Sequence, residues 1–466
     1  MSTIAVSGAQ VVAVDTPALG DRSYLAHDGS SALVIDPQRD IDRILAEAGR
    51  LGVTIRHVFE THLHNDYVTG GLALARATGA AYHVNAADPV AFDRAGVTDG
   101  DLIEVSPLMR VRALATPGHT FTHLSYALEA AGQPVAVFTG GSLLYGSTGR
   151  PDLLGAEHSA VLARAQHASA HRLAELLPDE ARVYPTHGFG SFCSATQTQG
   201  GASTIGREKR INPALTADEE TYMTRLLAGL DAYPAYYAHM APANAAGPAS
   251  PDLSPPRRAD AAGLREAVRA GEWVVDLRTR TAFAAGHVAG SLSFALEDGI
   301  ATYLGWLIPW GTPLTLLGED AEQVAGAQRE LARIGIDRPR AAATGRPQEW
   351  AGGQPLRSYP RARFADLEAV SRHRPVVLLD VRLTGEWAQS HLKGAMHVPL
   401  HDLPARLDEV PDGEVWVYCG GGHRAAIAAS ILDAAGRDVV AVDDSYDRAA
   451  SAGLPLAGPT PDGQVA

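Results

Sequence analysis

The sequence predicts an α/β protein of about three domains, from its length, its alternating strand and helix patterns and an internal repeat. The 466 residues allow about three domains of ordinary size. Hydrophobic residues make up 46% of the chain and charged residues 20%, which is typical of globular domains with buried cores. Each third of the chain is therefore long enough to bury a core of its own.

Residues 1–240 alternate short β-rich runs with helical stretches. Two apolar runs, Ser31–Asp36 and Ile55–Glu60, are predicted to be buried strands. Helical patterns are found at about 40–51, 68–78, 159–177 and 218–230. The alternation predicts one α/β domain over 1–240.

A linker and a repeat organise the rest of the chain. The segment 241–257 contains five prolines and no periodic apolar pattern, so it is predicted to be a linker. Beyond it, Val275–Arg278 recurs as Leu379–Arg382 at an offset of 104 residues. The same offset joins Asp276 to Asp380, His287 to His391 and Gly290 to Gly394. This period is too long for a solenoid and predicts two copies of one α/β domain, at 258–343 and 361–458.

Charge and cysteine content narrow the function classes. The formal net charge of −14 disfavours nucleic acid and anionic membrane partners, because an acidic surface repels phosphate groups. No apolar run approaches the ~20 residues that span a bilayer, and the first residues lack the pattern of a secretory signal. Cys193 and Cys419 are the only cysteines and fall in different predicted domains, so no structural disulfide is expected. These features predict a cytoplasmic protein.

A glycine-rich loop after the apolar strand pattern Val415–Tyr418 is the first candidate site. Its residues are Cys419, Gly420, Gly421, Gly422, His423 and Arg424, and a helical pattern follows. Glycines let consecutive backbone N–H groups point inward as a nest, and a helix N-terminus adds partial positive charge. Both features favour a thiolate and would stabilise a persulfide anion on Cys419. Arg424 can add a charge-assisted hydrogen bond to an anionic sulfur.

Phosphatases also use a cysteine and an arginine at a similar spacing, and the upstream residues distinguish the two classes. The segments Leu379–Arg382, Glu386-Trp387, His391–Ala395 and Val398–Leu400 resemble the rhodanese family, and Cys419-x-x-Gly422-x-Arg424 is similar to its active-site loop. The resemblance covers 361–458 and implies an α/β domain with a parallel sheet. It also implies that Cys419 accepts a sulfane sulfur and passes it on, with Arg424 beside it. His423 departs from the pattern and is predicted to be a solvent-facing loop residue.

The segment 258–343 resembles the same family without its nucleophile. Its loop position has the sequence Leu317-Gly318-Glu319-Asp320, with Gly318 where the cysteine would stand. This middle domain is expected to be catalytically silent and to act as a spacer or docking surface. A cysteine placed at 318 is not expected to restore activity, because the two carboxylates that follow would repel its thiolate.

Histidines follow several predicted strands of the N-terminal domain. His62, His64 and Asp66 lie in the loop Thr61–Tyr67, and His119 and His187 follow two further strands. Imidazoles at several strand ends are typical of a metal site that is assembled in space rather than in sequence. With Asp36, these positions resemble the motifs of the metallo-β-lactamase superfamily, which implies an αββα sandwich.

Within that superfamily the resemblance is to persulfide dioxygenases. The segments Thr204–Pro213 and Tyr236–Met240 are similar to theirs. A persulfide dioxygenase domain followed by a degenerate and then an active rhodanese domain is a known arrangement. The resemblance therefore extends over nearly the whole chain.

Two positions depart from the superfamily's pattern. Tyr67 stands where members with two metals have a histidine, which suits one metal ion per chain. Gly141 stands where the family has an aspartate ligand, so a site of two histidines and one carboxylate would lack its carboxylate. The alternative to a metal site without this carboxylate is a domain that has lost its metal altogether. If the metal is retained, substitution of Gly141 by aspartate is expected to tighten iron binding. The expected ligands of the single Fe(II) or Zn(II) are His62, His64 and His119, with Asp66 and His187 at a second site or beside the first.

Three basic residues are candidates for substrate binding. Arg150 matches a loop that lines this site in the family. Arg207 and Lys209 belong to a basic cluster that would attract an anionic thiol, or that is an ordinary solvated helix start. Cys193 is predicted to be a small packed residue.

Three functional hypotheses remain open. The first is a sulfur dioxygenase of hydrogen sulfide metabolism, which oxidises thiol persulfides such as that of glutathione to sulfite, while Cys419 transfers sulfane sulfur to sulfite or a thiol. The second is a zinc-dependent thioester hydrolase of the glyoxalase II type fused to a rhodanese. The third is a sulfur carrier with an inert metallo-β-lactamase scaffold. The partners expected in each case are small molecules, namely thiols, persulfides, sulfite or thiosulfate, and a homo-oligomer is left open.

Overall fold

The computed structural model of the chain describes residues 2–6, 8–196, 198 and 200–458. These residues form two compact units. Unit 1 comprises the described residues up to Pro251 together with Ala332–Gly335, and unit 2 comprises Asp252–Leu331 and the described residues from Ile336 onward. Apart from Ala332–Gly335, both copies of the predicted repeat therefore lie in unit 2.

The first sheet of unit 1 has its strands in sequence order. The first four strands pair with one another in antiparallel fashion, and the fourth to seventh strands pair in parallel. Ile35 pairs with Phe59, which pairs with His83, so Asp36 and Glu60 leave the sheet at the same edge. The strands are β1 (Ser2–Val6), β2 (Ala9–Thr16), β3 (Asp21–His27), β4 (Ser31–Ile35), β5 (Thr54–Phe59), β6 (Ala81–Asn85) and β7 (Ala95–Val97).

The second sheet of unit 1 has the order β13-β12-β11-β10-β9-β8. Only the β11–β12 pair is parallel. The strands are β8 (Leu102–Ser106), β9 (Met109–Ala115), β10 (Leu124–Ala130), β11 (Gln133–Gly140), β12 (Arg182–Pro185) and β13 (Ser203–Thr204).

The two sheets pack face to face, and helices cover both outer faces. Tyr24 of the first sheet packs on Phe138 of the second with ring centroids 5.5 Å apart, and Phe59 packs on Tyr126 at 4.9 Å. One further apolar cluster lies under α1 and α2, and another under α3 to α6. The order of layers is helix, sheet, sheet, helix, which confirms the predicted αββα sandwich. The helices are α1 (Asp42–Leu51), α2 (Gly71–Thr78), α3 (Ser159–Leu176), α4 (Ile205–Ile211), α5 (Pro213–Thr216), α6 (Glu219–Ala228) and α7 (Tyr237–Ala246).

The beginning of the predicted linker 241–257 is wrong. Helix α7 continues to Ala246, with Pro242 inside it. Asn244 is buried, and its amide donates to the carbonyls of His64 and Tyr67, both at 2.9 Å. The proline and alanine content concealed a helix that is held by these contacts rather than by an apolar stripe.

The middle part of unit 2 contains a parallel sheet in the order β15-β14-β16-β17. The strands are β14 (Trp273–Asp276), β15 (Leu292–Ser293), β16 (Leu314–Gly318) and β17 (Ala341–Thr344). The helices are α8 (Ala261–Arg269), α9 (Arg280–Ala285), α10 (Ile300–Leu307), α11 (Ala321–Arg333) and α12 (Pro347–Ala351).

The last part of unit 2 contains a second parallel sheet in the order β18-β23-β22-β19-β21, and β20 pairs with β24. The strands are β18 (Arg361–Ala362), β19 (Val377–Asp380), β20 (His391–Leu392), β21 (Met396–His397), β22 (Val415–Tyr418), β23 (Val439–Val442) and β24 (Leu456–Ala457). The helices are α13 (Phe364–Ser371), α14 (Thr384–Gln389), α15 (His423–Ala434) and α16 (Arg448–Ser451). Two α/β domains with parallel sheets are thus confirmed.

The two halves of unit 2 meet along helix α15. Residues 425–433 of this helix are all buried, so it has no solvent-facing stripe. The Ser430 hydroxyl accepts from the Ser293 N–H at 3.0 Å, and Asp433 lies 3.1 Å from Nε2 of His287. A helix that is buried all round needs partners on several sides, and both halves supply them. Among the described residues, no helix combines the length and the apolar character that crossing a membrane would require.

Candidate metal centre and candidate sulfur site

Asp36 links two of the loops that carry the histidines of unit 1 through hydrogen bonds to its carboxylate. Its backbone has a φ of +49°, a strained value for a residue other than glycine. Its carboxylate accepts from the N–H of Thr61 at 2.7 Å and from the Thr61 hydroxyl at 2.8 Å. The Thr186 hydroxyl also donates to it. The loops after β5 and β12 are thereby fixed to each other.

These loops bring His62 and His187 together. Their Nε2 atoms are 3.3 Å apart, and both rings are buried. Nδ1 of His187 lies 2.9 Å from Asp21 and 3.1 Å from Asp66. Burial opposes a charge on His187, but Asp66 and Asp21 raise its pKa to about 10. Carboxylates that bind one ring nitrogen and orient the other are the usual partners of metal-binding histidines.

His64 is bound on one side by acidic groups. Its Nε2 lies 3.2 Å from Asp36, 3.3 Å from Glu60 and 3.0 Å from the Tyr67 hydroxyl. Burial opposes the charge, but these carboxylates raise the pKa of His64 to about 9. Nδ1 of the same ring is buried and has no hydrogen-bond partner within the described part of the chain. Tyr67, at the position of a second-metal histidine, thus serves as a partner of His64.

His119 offers a free ring nitrogen to the same region. Its Nδ1 donates to the carbonyl of Arg150 at 2.9 Å, and its Nε2 is buried without a partner among the described residues. Burial lowers the pKa of His119 to about 3, so the ring is neutral and Nε2 carries a lone pair. Burial of a lone pair that accepts no hydrogen bond costs folding free energy, unless a proton or a metal ion binds to it.

The predicted gain in iron affinity from an aspartate at position 141 meets a steric obstacle. A Cβ atom at Gly141 would lie 2.3 Å from Cδ2 of His119, well inside van der Waals contact. The Gly141 N–H also donates to Nε2 of His123 at 3.1 Å. The His119 ring therefore occupies the space of the missing side chain, and a carboxylate at 141 would have to displace a candidate ligand.

The donor atoms of unit 1 form overlapping sets, each within 4.8 Å, that could hold a metal ion. His187 belongs to three of the sets, and it joins the predicted ligands His62 and His64 in one of them. His119 forms a set with His187 and Cys193 instead of joining His62 and His64. Neutral imidazoles, a thiol and carboxylates suit a borderline-soft divalent ion such as zinc. The remaining two sets are Asp21, Asp66 and His187, and Asp36, Glu60 and His64.

Two of the three basic candidates for substrate binding, Arg150 and Lys209, form ion pairs with aspartates. Arg150 is buried, and its guanidinium binds Asp152 at 2.7 Å and lies over the Tyr233 ring at 4.6 Å. Lys209 is 2.5 Å from Asp179 on the surface, and Arg207 is exposed. Arg150 therefore braces the loop behind His119, through the carbonyl that this histidine binds.

Two of the acidic residues of this cluster, Asp21 and Glu60, were not among the sequence candidates. Neither lies in a recognisable motif, although Glu60 directly precedes the loop of His62. Burial and the neighbouring Asp66 raise the pKa of Asp21 to about 8. Their only sequence signal is an acidic residue inside an apolar strand pattern.

Cys419 directly follows β22, at the start of a turn into α15, as the sequence predicts. Its side chain is 2% exposed, and its Sγ accepts from the N–H of Gly422 at 3.1 Å. Gly422 has a φ of +90°, and a Cβ there would lie 2.3 Å from Asp443. Glycine is thus required at 422 for the backbone N–H to point at the sulfur. Cys193 and Cys419 are both free.

Arg424 binds a carboxylate instead of the sulfur. Its guanidinium forms a two-point ion pair with Glu386, at 2.5 and 2.8 Å. Glu386 also accepts from the N–H of Leu383 at 3.0 Å, so the pair anchors the glycine loop to the start of α14. In this structure Arg424 thus bridges the glycine loop and α14, and its hydrogen bond to an anionic sulfur on Cys419 stays a prediction.

His423, which the sequence predicts to face solvent in the loop, is the first residue of α15 and is partly buried. Its side chain is 21% exposed, and its Nδ1 lies 3.0 Å from Asp298 in the middle part of unit 2. Its ring centroid is 5.0 Å from that of Tyr303. Asp298 and Tyr303 carry no motif, and only folding could place them beside the loop.

The middle domain has no reactive residue at the corresponding turn. Gly318 follows the strand partner of Asp276, as Cys419 follows the strand partner of Asp380. A Cβ at Gly318 would lie 2.9 Å from a methyl group of Val324, so even a small side chain would require a shift. This adds a steric reason to the predicted absence of a nucleophile.

Known protein families match one segment in each of the two units. Residues 19–187 match the metallo-beta-lactamase superfamily, and residues 364–452 match the rhodanese-like domain. The hydroxyacylglutathione hydrolase of Polaromonas sp. strain JS666 is 34% identical over 161 residues, which is 34% of this chain and 57% of that protein. That of Nitrosococcus oceani is 30% identical over 219 residues, 42% of this chain and 80% of that protein. The human mitochondrial persulfide dioxygenase ETHE1 is 28% identical over 211 residues, 44% of this chain and 72% of that protein.

A solved structure extends the likeness further along the chain. The metallo-beta-lactamase from Staphylococcus aureus subsp. aureus COL has a TM-score of 0.65 and 26% sequence identity. The match covers 73% of this chain and all of that one. The fold and the histidine loops thus define a metallo-β-lactamase-type protein with an added α/β domain that carries Cys419. The chain belongs to the metallo-β-lactamase superfamily and carries a rhodanese-like domain.

Proposed function

We propose that this chain is a sulfurtransferase in which Cys419 carries a sulfane sulfur as a persulfide. The observation that supports this most directly is the Gly422 N–H, which donates to Cys419 Sγ at 3.1 Å. A backbone donor aimed at sulfur, at the start of a helix, favours negative charge on that atom. Thiosulfate and thiol persulfides would be the donors, and sulfite, a thiol or cyanide the acceptor. We propose the cytoplasm as its compartment, since both thiols are free.

In the proposed reaction the Cys419 thiolate attacks the outer sulfur of thiosulfate. A sulfur–sulfur bond to Sγ forms while the original bond breaks, and sulfite leaves with the electron pair. The acceptor then attacks the outer sulfur of the Cys419 persulfide, takes that sulfur, and returns the thiolate. The Gly422 N–H and the N-terminus of α15 stabilise the negative sulfur in both steps. The Arg424–Glu386 pair holds the loop in place.

For the N-terminal domain we propose oxidation of thiol persulfides, such as glutathione persulfide, with one metal ion per chain. One of its relatives is a persulfide dioxygenase. Sulfite, the product, would accept sulfur from Cys419, so the two activities would form a sequence. His62, His64 and His187, with His119 beside them, would hold the ion, which would be Fe(II) and would supply the oxygen chemistry. Asp21 and Asp66 orient His187, and the Arg150 carbonyl orients His119.

A zinc-dependent thioester hydrolase is the second candidate, and the donor set favours it. Imidazole ligands suffice for zinc, whereas iron oxygenase sites use a carboxylate, and the set of His62, His64 and His187 contains none. Two relatives are hydroxyacylglutathione hydrolases. In both cases the substrate would be a derivative of a small thiol such as glutathione. A scaffold without metal is the third outcome.

The test of the sulfur site is the mass of the intact protein after brief exposure to thiosulfate. We expect a gain of one sulfur atom on Cys419, located by peptide mapping, and release of it as thiocyanate when cyanide is added. Cys419→Ser should abolish both. Cys193→Ser is the matched control, because it leaves Cys419 as the sole thiol. Thiocyanate formation by Cys419→Ser at the wild-type rate would overturn the proposal.

The test of the N-terminal domain separates the candidates by metal content and reaction. Metal analysis of the purified protein should find about one iron per chain for the oxygenase and about one zinc for the hydrolase. Oxygen uptake with glutathione persulfide and hydrolysis of a glutathione thioester are then measured on the same sample. Absence of metal and of both activities would establish the inert scaffold.

A further inference from the structure

The middle domain, which lacks a nucleophile, supplies side chains to the Cys419 loop. Asp298 lies just before α10, and its carboxylate is 3.0 Å from Nδ1 of His423. Arg280 binds the same carboxylate at 3.1 Å and binds Asp443, beside the glycine loop, at 3.0 Å. Arg280 and His423 thus share one carboxylate oxygen, Oδ2 of Asp298. These contacts join the two halves of unit 2 at the reactive turn.

The Asp298 contact fixes which nitrogen of His423 is free. Nδ1 must donate to the carboxylate, because a carboxylate only accepts. Nε2 is buried and has no hydrogen-bond partner among the described residues. His423 follows Gly422, whose N–H donates to the sulfur of Cys419. A buried, unpartnered imidazole nitrogen thus lies in the same short turn as the sulfur.

Tyr303 of α10 lies beside His423 and interacts electrostatically with Cys419. Its ring is 5.0 Å from that of His423, and its hydroxyl interacts electrostatically with Arg424, Cys419 and Glu386. Burial raises the pKa of Tyr303, so the hydroxyl remains protonated and neutral. One turn further along, Trp306 stacks on His401 of the last domain with ring centroids 4.8 Å apart. Helix α10 therefore forms one wall of the Cys419 site.

The same interface continues along α15, which begins at His423. His287 binds Asp433 at 3.1 Å near the other end of this helix, and the Ser293 N–H donates to Ser430 at 3.0 Å. Contacts at both ends of a helix leave it little freedom to rotate. The distance between Asp298 and His423 is thus held by packing as well as by the ion pair itself.

We propose that His423 is a proton-transfer residue for thiol persulfide donors and that Asp298 is its positioning residue. The proposal rests on the sulfurtransferase function proposed above for Cys419. The middle domain would then serve the reaction through α10 and Asp298 instead of acting only as a spacer. Tyr303 would border the donor's leaving group.

The step balances as follows. The Cys419 thiolate attacks the terminal sulfur of RS–SH, a bond from Sγ to that sulfur forms, and the RS–S bond breaks with its electron pair on RS⁻. Nε2 of His423 takes the proton from the transferred sulfur and gives it to RS⁻. The products are the Cys419 persulfide anion and RSH. With thiosulfate the leaving group is sulfite, a much weaker base than an alkyl thiolate, which leaves without a proton.

The test compares two donors in a single turnover without oxygen, so that oxidation by the N-terminal domain cannot consume the persulfide. Sulfur loading of Cys419 is followed by intact mass, with glutathione persulfide or thiosulfate as the donor. Wild-type, His423→Gln and Asp298→Asn proteins are compared, and the loading seen in Cys419→Ser is subtracted. We expect both variants to slow loading from glutathione persulfide about 100-fold more than loading from thiosulfate.

Asp433→Asn is the matched control, since it weakens the same interface away from the sulfur. It should leave the ratio of the two donor rates unchanged. Asp298→Glu, which keeps a carboxylate, should restore part of the ratio lost in Asp298→Asn. Equal slowing of both donors in His423→Gln, or an unchanged ratio, would overturn the role of His423. Absence of sulfur on Cys419 with either donor in the wild type would instead refute the sulfurtransferase function.

Discussion

Cys419 and the histidine cluster of unit 1 hold their reactive atoms in different ways. The Cys419 sulfur accepts a hydrogen bond from a backbone N–H of its own turn, and the residues of that turn are consecutive in the sequence. The imidazoles come from three separate loops and are oriented by side chains such as Asp21 and by a carbonyl such as that of Arg150. A backbone donor depends on the conformation of one glycine, whereas a side-chain cluster depends on every member. The two sites should therefore fail in different ways when single residues are changed.

The largest expected effect is the loss of the metal from His187→Ala. His187 belongs to three of the donor sets and lies 3.3 Å from His62, so its removal disrupts all of them except the set around Asp36. We expect bound metal to fall below detection, measured on protein purified with iron or zinc in the medium. His57→Ala, a half-buried histidine of the same domain outside these sets, is the control and should retain the metal. Full metal content in His187→Ala would show that the sets centred on this residue are not the binding site.

At the sulfur site the corresponding change is Gly422→Ala. The φ of +90° is strained for alanine, and the new Cβ would lie 2.3 Å from Asp443. The N–H that faces the sulfur must then move, and the loss of one such donor lowers transfer about 100-fold. Gly421→Ala, which meets no atom within 4 Å, should lower thiocyanate production far less. Similar rates for the two variants would argue against the backbone donor.

Gly141→Ala tests a different role of glycine from that of Gly422, because Gly141 leaves space for the His119 ring. The added Cβ would press on the His119 ring, and overpacking of this kind costs about 1–3 kcal/mol of unfolding free energy. Gly141→Asp should be no better and should not raise iron affinity. Gly49→Ala, where no atom lies within 4 Å, is the control for a harmless alanine. Thermal unfolding and metal titration measure both effects, and tighter iron binding by Gly141→Asp would contradict the steric argument.

The smallest expected effect is that of Glu386→Gln. The amide can still accept one hydrogen bond from Arg424, but the charge that holds this partly buried guanidinium is lost, which costs about 1–2 kcal/mol. We expect sulfur transfer to fall about tenfold as the loop loosens. Glu409→Gln, which removes an exposed partner of Arg406, should have little effect, since surface ion pairs contribute about 0–1 kcal/mol. A wild-type rate in Glu386→Gln would show that the loop needs no such anchor.

Local sequence was sufficient where a site is continuous along the chain. The strand Val415–Tyr418, the glycines and the helix that follows all predict the turn around Cys419, because each obeys a local rule of backbone conformation. The alternating patterns of the N-terminal domain likewise predict its strands and helices, and the positions of His62, His119 and His187 at strand ends predict a shared edge. The repeat of Asp276 and Asp380 predicts two parallel-sheet domains, as found.

Only the tertiary structure decided which side chains meet. His187 joins His62 and His64 because Asp36 and Asp21 fix separate loops to one another, and no pattern in the sequence encodes those distances. Gly141 suggested a missing ligand, yet the fold fills that space with the His119 ring. Asp298 and Tyr303 carry no motif at all, and they reach His423 only through the packing of two domains along α15. Sequence therefore determined the elements and the reactive cysteine, since these depend on local conformation, whereas packing determined the partners of the reactive groups.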